Sequence, residues 1–326
     1  MFNHKYKNII KIENLLVAWE CFLRGKKHRK DVMIFQVNLA DNIVDLYRSL
    51  AFQTYEHGPY FKFSISDPKP RIIHKATVRD RLLHHLMYQE LYEYFDKQFI
   101  YDSYSCRKKK GTHKALNRIR YFARKVSKNN SRNCYVLKCD IKKFFASIDH
   151  KILIEILERH IEDSNVMWLI KKVLASFYVT RPNIGLPLGN IISQLFANIY
   201  MHDFDMYLKQ ELRVKYYIRY TDDFVILSDD KEYLDILLLS IREFLHDKLG
   251  LNLREEKMFI KTHASGIDFL GWIHFPYHRQ IRTKTKRKII RKLKNYPEPQ
   301  TIISYRGLLS HGNTYKLRKR IGLIFD

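Results

Sequence analysis

Residues 216–227 read Tyr216-Tyr217-Ile218-Arg219-Tyr220-Thr221-Asp222-Asp223-Phe224-Val225-Ile226-Leu227. Two short apolar runs flank a polar turn, and this spacing predicts two strands around Thr221-Asp222-Asp223. Asp-Asp is ordinary turn chemistry, so the dipeptide alone decides nothing. Its weight comes from Tyr135-Val136-Leu137-Lys138-Cys139-Asp140-Ile141 upstream, a buried-strand candidate ending in an acid. Between them lie a turn-rich loop, Gly185 to Gly189, and a long helix expected from about Ile191 to Glu211.

The pattern extends outward in both directions. Residues 10 to 55 read as helical, interrupted at Lys26 to Asp31. An extended segment, Tyr60 to Ile65, is punctuated by Gly58-Pro59 and Asp67-Pro68. Helices are expected over 78–97 and, with Thr112 as N-cap, along the apolar stripe Leu116, Ile119, Ala123 and Val126. Asp149 reads as the cap of a further helix. Residues 231 to 248 form another, Leu251 to Phe275 returns to strand character, and the last fifty residues are helical and basic. The mixture is α+β, with acids at strand ends.

The 326 residues, 46% apolar, can build a sizeable core. The chain lacks an apolar run of membrane-spanning length and a signal-peptide layout, so an intracellular, cytoplasmic protein with no membrane partner is expected. Cys21, Cys106, Cys134 and Cys139 form no CxxC pair and read as reduced thiols. The net charge is +25 and unevenly spread. Ser103 to Cys139 holds twelve Lys or Arg and no acid; Arg279 to Lys294 holds nine more, again without an acid. Such stretches suit a phosphate backbone. A solvated basic face would look the same, so charge gives a partner class and no chemistry.

Chemistry enters with the carboxylates. Asp140, Asp222 and Asp223 at converging strand ends suit a pair of divalent ions ~3.5–4 Å apart, the arrangement of nucleotidyl transfer. Hard carboxylate oxygens suit Mg2+, and rigid strands hold the spacing better than loops do.

With these acids in place the sequence resembles the reverse transcriptases. Asp140-Ile141-Lys142-Lys143-Phe144-Phe145 resembles their motif A, Gly185-Leu186-Pro187-Leu188-Gly189-Asn190-Ile191-Ile192-Ser193-Gln194 motif B, and Tyr220-Thr221-Asp222-Asp223 motif C. Leu251-Asn252-Leu253 with Lys257 resembles motif D, and Phe269-Leu270-Gly271 motif E. Pro70-Arg71-Ile72-Ile73 with Asp80-Arg81, and Ser105-Cys106-Arg107 with Gly111-Thr112-His113, resemble the two finger motifs. The seven follow the family's order.

The resemblance implies an RNA-directed DNA polymerase with a right-hand fold: fingers, palm with an antiparallel sheet, and a short helical thumb. It places an N-terminal extension and fingers in 1–134, the palm in 135–275 and the thumb in 276–326. Asp140 and Asp222, helped by the Ile141 carbonyl, would ligate two Mg2+ ions, with Mn2+ an admissible substitute; Asp223 would be the third catalytic acid. Lys69, Arg71, Phe145, Leu188, Gly189, Gln194 and Lys257 would meet the incoming dNTP. Phe145 would be the ring that excludes a ribose 2′-hydroxyl, and it should face away from Phe144 on a strand-like segment. Arg107, Lys108, Lys109, Lys110, Lys114, Arg118, Arg287 and Arg291 would grip template RNA and the RNA/DNA duplex. Thr221 stands where many relatives carry alanine, and little effect is expected. Leu188 stands where many carry glutamine, which implies reduced fidelity.

Within the family, Gly189-x-x-x-Ser193-Gln194, Ser105-Cys106-Arg107-Lys108-Lys109-Lys110-Gly111-Thr112-His113-Lys114-Ala115 and Ser310-His311-Gly312-Asn313-Thr314-Tyr315-Lys316-Leu317 resemble the bacterial and phage-encoded diversity-generating retroelement enzymes. That resemblance implies error-prone copying and a small basic pentameric accessory protein. A group II intron-like or phage-defence enzyme, or an inactive RNA-binding maturase, are the alternatives. After Asp268 only Glu298 and Asp326 are acidic, so no nuclease module is expected in the last fifty-odd residues.

Overall fold

Val136 to Cys139 is apolar but for Lys138, and a strand of that kind must be covered on both faces and paired on both edges. The computed structural model, which describes residues 1–66, 70–179, 181–295 and 298–322, places it inside a five-stranded sheet. The strands in chain order are β1 (Phe61–Ile65), β2 (Arg71–Lys75), β3 (Ser103–Tyr104), β4 (Tyr135–Asp140), β5 (Tyr217–Tyr220), β6 (Asp223–Ser228), β7 (Phe259–Thr262), β8 (Ile267–Phe269), β9 (Trp272–His274) and β10 (Arg279–Ile281). The large sheet runs β3-β5-β6-β4-β7, antiparallel except for the short parallel pair β3–β5. Two more sheets are the hairpin β1–β2 and the meander β8–β9–β10.

The chain forms two compact units that interleave along the sequence, because the large sheet draws strands from well-separated stretches. One comprises Met1–Tyr101, Ile141–Leu212 and Glu243–Asn252; the other comprises Asp102–Asp140, Arg213–Arg242 and Leu253–Asp326.

The first unit is helical around the β1–β2 hairpin. Helix Ile12–Leu23 buries Leu15, Ala18, Trp19 and Phe22 at helical spacing. Helix Val78–Gln98 starts where the Thr77 side chain accepts the Asp80 N–H. Asp80 itself is fully buried and accepts from the Tyr55 hydroxyl at 2.8 Å, the Gly58 N–H at 3.1 Å and the Thr77 hydroxyl. Asp149 caps His150–Glu158 as expected, accepting from Lys151 N–H at 2.7 Å.

In the second unit, helix Thr112–Val126 lays Leu116, Ile119, Phe122, Ala123 and Val126 on Val136, Ile218, Val225 and Leu227 of the large sheet. The same core takes in Phe269 and Trp272 of the meander and Ile289 and Leu309 of the basic helices Thr283–Asn295 and Pro299–Leu309. Each such side chain contributes about 1.5–3 kcal/mol by leaving water.

Three local expectations fail for identifiable reasons. Gly111, not Thr112, is the N-cap of the 112–126 helix, and the Thr112 hydroxyl instead lies 3.0 Å from the Tyr220 hydroxyl. Phe144–Ser147 is one helical turn rather than strand-like, because Lys143 enters the left-handed region at φ +47° and ends the extension. Helix Ile191–Tyr200 breaks at Met201 and resumes as His202–Met206 and a π-turn, Tyr207–Glu211. Among the described residues, no helix is long and apolar enough to cross a membrane.

His263 and His274 are buried in the second unit, and burial pushes their pKa values down to about 4 and about 3. A folded pKa below the unfolded 6.5 means that the unfolded chain gains protons first as pH falls. Their contribution is therefore complete above pH ~6.5 and shrinks toward pH ~4. At pH 5 the expected loss is about 2 kcal/mol per histidine. Urea unfolding of His274→Asn should show a shallower pH dependence than wild type; parallel curves would contradict the assignment.

Candidate active site

Side chains on a strand alternate faces, so Lys138 and Asp140 share one face of β4. The β4–β6 register sets Asp140 opposite Asp223 and Lys138 opposite Val225. Asp222 lies in the turn between β5 and β6, next to Asp223. All three acids belong to the second unit.

The turn is held hard. Thr221 sits at φ +59°, a region that a β-branched residue enters at a cost of order 1–3 kcal/mol. Its N–H donates to the Tyr104 carbonyl at 3.3 Å, and its carbonyl accepts from Arg219 Nη1 at 3.1 Å. Arg219 is fully buried, with Nη2 also donating to Ser103 Oγ at 3.1 Å. Threonine here thus carries a conformational cost, as alanine or any other residue with a Cβ would.

Each buried carboxylate faces a cation. Lys257 Nζ donates to Asp140 Oδ2 at 2.7 Å, Arg254 Nη1 lies 3.4 Å from Oδ1, and the Arg254 N–H donates to the Asp140 carbonyl at 2.8 Å. Lys138 Nζ lies 3.4 Å from Asp223 Oδ2. Burial pushes the Asp223 pKa up to about 6; Lys138 pulls it down, and Asp140 and Asp222 add to the rise. Among the described residues no three His, Cys, Asp or Glu side chains are grouped as an ion's ligands, since these carboxylates are turned onto cations. Yet Asp140 Oδ1 and Asp223 Oδ1 are both buried with no hydrogen-bond donor. Hard anionic oxygens with unused lone pairs, side by side across one strand pair, are a donor set that fits a divalent ion.

The first unit gathers most of the residues assigned to the nucleotide. The His74 N–H donates to the Leu188 carbonyl at 3.1 Å and Asn190 Nδ2 to the His74 carbonyl at 3.0 Å, so the 185–190 loop is tied to β2, the strand of Arg71. The Leu186 N–H donates to the Phe145 carbonyl at 2.7 Å, which ties the Phe144–Ser147 turn to the same loop. Phe144 is buried and Phe145 half-buried, so Phe145 is the ring with access to a ligand. Gly189 lies at φ +104°, and a Cβ there would stand 2.7 Å from Ile73 Cγ2, so a side chain is excluded twice over. Gln194 is half-buried on the helix that follows, and Ile141 is buried. Lys69 lies outside the described residues.

The assigned phosphate contacts divide. Lys108, Lys109, Lys114, Arg287 and Arg291 are exposed, and Lys110 and Arg107 partly so. The Arg118 fork is bidentate to Asp102 at 2.8 and 3.0 Å, which makes it a structural cation first. The reading from sequence passed over Lys138, Arg254 and Arg219. Lys138 had a signal, a lone cation in an apolar strand two residues before an acid; Arg254 and Arg219 had none.

A family model described as "Reverse transcriptase (RNA-dependent DNA polymerase)" matches residues 65–274. The chain belongs to the reverse transcriptase family. Protein YkfC of Escherichia coli K12 is 24% identical, over 81% of this chain and 78% of its own length. Group II intron-encoded protein LtrA of Lactococcus lactis is 24% identical, over 71% of this chain and 49% of its own. The putative COX1/OXI3 intron 2 protein of Saccharomyces cerevisiae is 22% identical, over 66% and 30%. The chain thus spans half or less of the two intron proteins. Among solved structures, apo telomerase from Candida tropicalis aligns with TM-score 0.54 and 13% identity, covering 82% of this chain and 56% of that one. Telomerase from Candida albicans, solved with a fragment of telomeric RNA, gives 0.54 and 12%, over 76% and 50%. The fold is that of the right-hand polymerases.

Removing one partner of a buried ion pair costs about 3–5 kcal/mol. For Lys138→Met the loss of stability to urea at pH 7.5 should be limited to about 2 kcal/mol, because Asp223, with a pKa of about 6, can take a proton at that cost instead of staying charged and unpaired. The cost should shrink as pH falls through about 6, where Asp223 takes a proton and no longer needs a counter-charge. A pH-independent deficit would mean that Lys138 acts by packing alone.

Proposed function

We propose that the chain is an RNA-directed DNA polymerase that copies a template RNA into cDNA by nucleotidyl transfer at Asp140, Asp222 and Asp223. The observation that carries this reading is the β4–β6 register, which sets Asp140 against Asp223 with Asp222 in the adjoining turn. Asp140 and Asp222, with the bare oxygen of Asp223 beside them as the third acid, would hold two divalent ions, Mg2+ by the hardness of their oxygens. Bound there, such ions activate a primer 3′-hydroxyl and neutralise leaving pyrophosphate. Lys257, already within hydrogen-bond reach of Asp140, supplies positive charge where pyrophosphate departs. Arg71, exposed on β2, neutralises the incoming triphosphate through its forked donors. The Phe145 ring selects against a 2′-hydroxyl. The division into fingers (1–134), palm (135–275) and thumb (276–326) is part of the same proposal.

The motif-B and thumb patterns support a diversity-generating retroelement as the setting, with a small basic pentameric accessory protein as partner. The second reading, a group II intron-like enzyme or maturase, is favoured by the intron-encoded relatives. An inactive maturase has no need of all three acids, and all three are present.

Primer extension on an RNA template tests the activity. Asp222→Ala should reduce incorporation to background, and equal incorporation by wild type and variant would end the enzyme reading. Leu188 offers the nucleotide no hydrogen bond, and one such bond is worth about 1 kcal/mol, or roughly fivefold in selectivity. Leu188→Gln should lower misincorporation by about that factor; an unchanged error spectrum removes Leu188 from the fidelity argument.

A further inference from the structure

Helix Thr112–Val126 carries a second stripe opposite its buried one. Lys114, Arg118, Tyr121 and Lys125 recur at steps of three and four, and Lys128 continues the line past the helix end. Tyr121 is 48% exposed, with the Arg118 guanidinium 5.0 Å and Lys125 Nζ 5.6 Å from its ring centre. Beside it opens a concavity of about 480 Å³ lined by Tyr121, Arg124, Lys125, Lys128 and Asn129.

The helix dipole accounts for Arg124 and Lys125 in the last turn, but not for a solvent-facing tyrosine or for the cation beyond the end. The edge of the concavity is also built at a cost. Lys128, Asn129 and Asn130 have φ of +46°, +59° and +70°, three consecutive left-handed residues with no glycine among them. The Asn129 N–H to the Arg124 carbonyl at 2.8 Å and the Asn130 N–H to Ser127 Oγ at 2.9 Å hold them there. The groove is therefore preformed.

It also lies away from the acids. Thr112 touches Tyr220 beside the catalytic turn, and the helix end at Val126, where the concavity opens, is ~21 Å further along at 1.5 Å per residue.

We propose that this groove is a second nucleic-acid site that takes single-stranded RNA, a part of the template not engaged at the acids. The inference rests on the reading that the chain copies RNA. An exposed aromatic ring stacks on an unpaired base whatever its identity, while clustered cations follow the phosphates; a paired duplex offers no free base face to Tyr121. Arg124, Lys125 and Lys128, the three cations that line the concavity, supply the complementary charge.

Fluorescence anisotropy with a labelled 12-nucleotide oligouridylate and a labelled blunt 12-base-pair RNA/DNA duplex, without nucleotide or divalent ion, tests this. Tyr121→Ala should weaken oligouridylate binding about five- to 150-fold and leave the duplex unaffected, and Tyr121→Phe should bind like wild type. Lys125→Ala with Lys128→Ala should reduce the salt slope for oligouridylate by about 1.4. Unchanged oligouridylate affinity in Tyr121→Ala, or an equal loss for the duplex, overturns the proposal. Binding is scored without catalysis, so this result is independent of whether Asp222-dependent extension is observed.

Discussion

Two carboxylates side by side across one antiparallel strand pair impose the constraint around which the second unit is organised. Ionised neighbours ~5 Å apart repel by about 3 kcal/mol at an effective dielectric near 20, before desolvation is counted. The chain answers with three cations. Lys138 rises from the same strand face as Asp140, while Arg254 and Lys257 come from the stretch leading into β7. Even so, Asp223 stays hard to ionise and two carboxylate oxygens stay without donors. Those two bare oxygens are what the proposed binding of divalent ions would draw on.

Holding such a cluster in place needs a stiff frame, and the frame is itself strained. Thr221 is kept left-handed by a backbone bond from β3 and by a fully buried arginine that reaches its carbonyl. The interior arginine carries its own desolvation cost, offset in part by the bonds to Thr221 and Ser103. The first unit uses a gentler device. Backbone bonds, with one more from the Asn190 side-chain amide, bind the 185–190 loop to β2 on one side and to the Phe144–Ser147 turn on the other. Side chains from three distant stretches thus share one scaffold, and the spacing among them is set by main chain rather than by flexible contacts.

Charge was the least discriminating part of the sequence and the part that structure sorted most. An acid-free run of basic residues suggests uniform phosphate binding. In three dimensions Arg118 is spent on Asp102, Lys138 on Asp223, and only some of the rest face solvent. The same run contains a preformed groove at the end of the helix remote from the acids, which no linear count of lysines reveals.

The strand at 135–140, the hairpin around Thr221-Asp222-Asp223 and the amphipathic helices were legible in sequence, because period-2 and period-3.6 patterns report which face is buried. The three acids, too, stand in the sequence in the order of the family's motifs, which is the ground on which they are proposed as the site. What only the tertiary structure decided were properties of pairs distant in sequence: the register that opposes Asp140 to Asp223, the cations assigned to each, the helical turn that leaves Phe145 rather than Phe144 accessible, and the buried Asp80 and Arg219 networks. Periodicity describes one segment's preference for water or core. Electrostatic partnership depends on distance through space, and that distance exists only once the segments have packed.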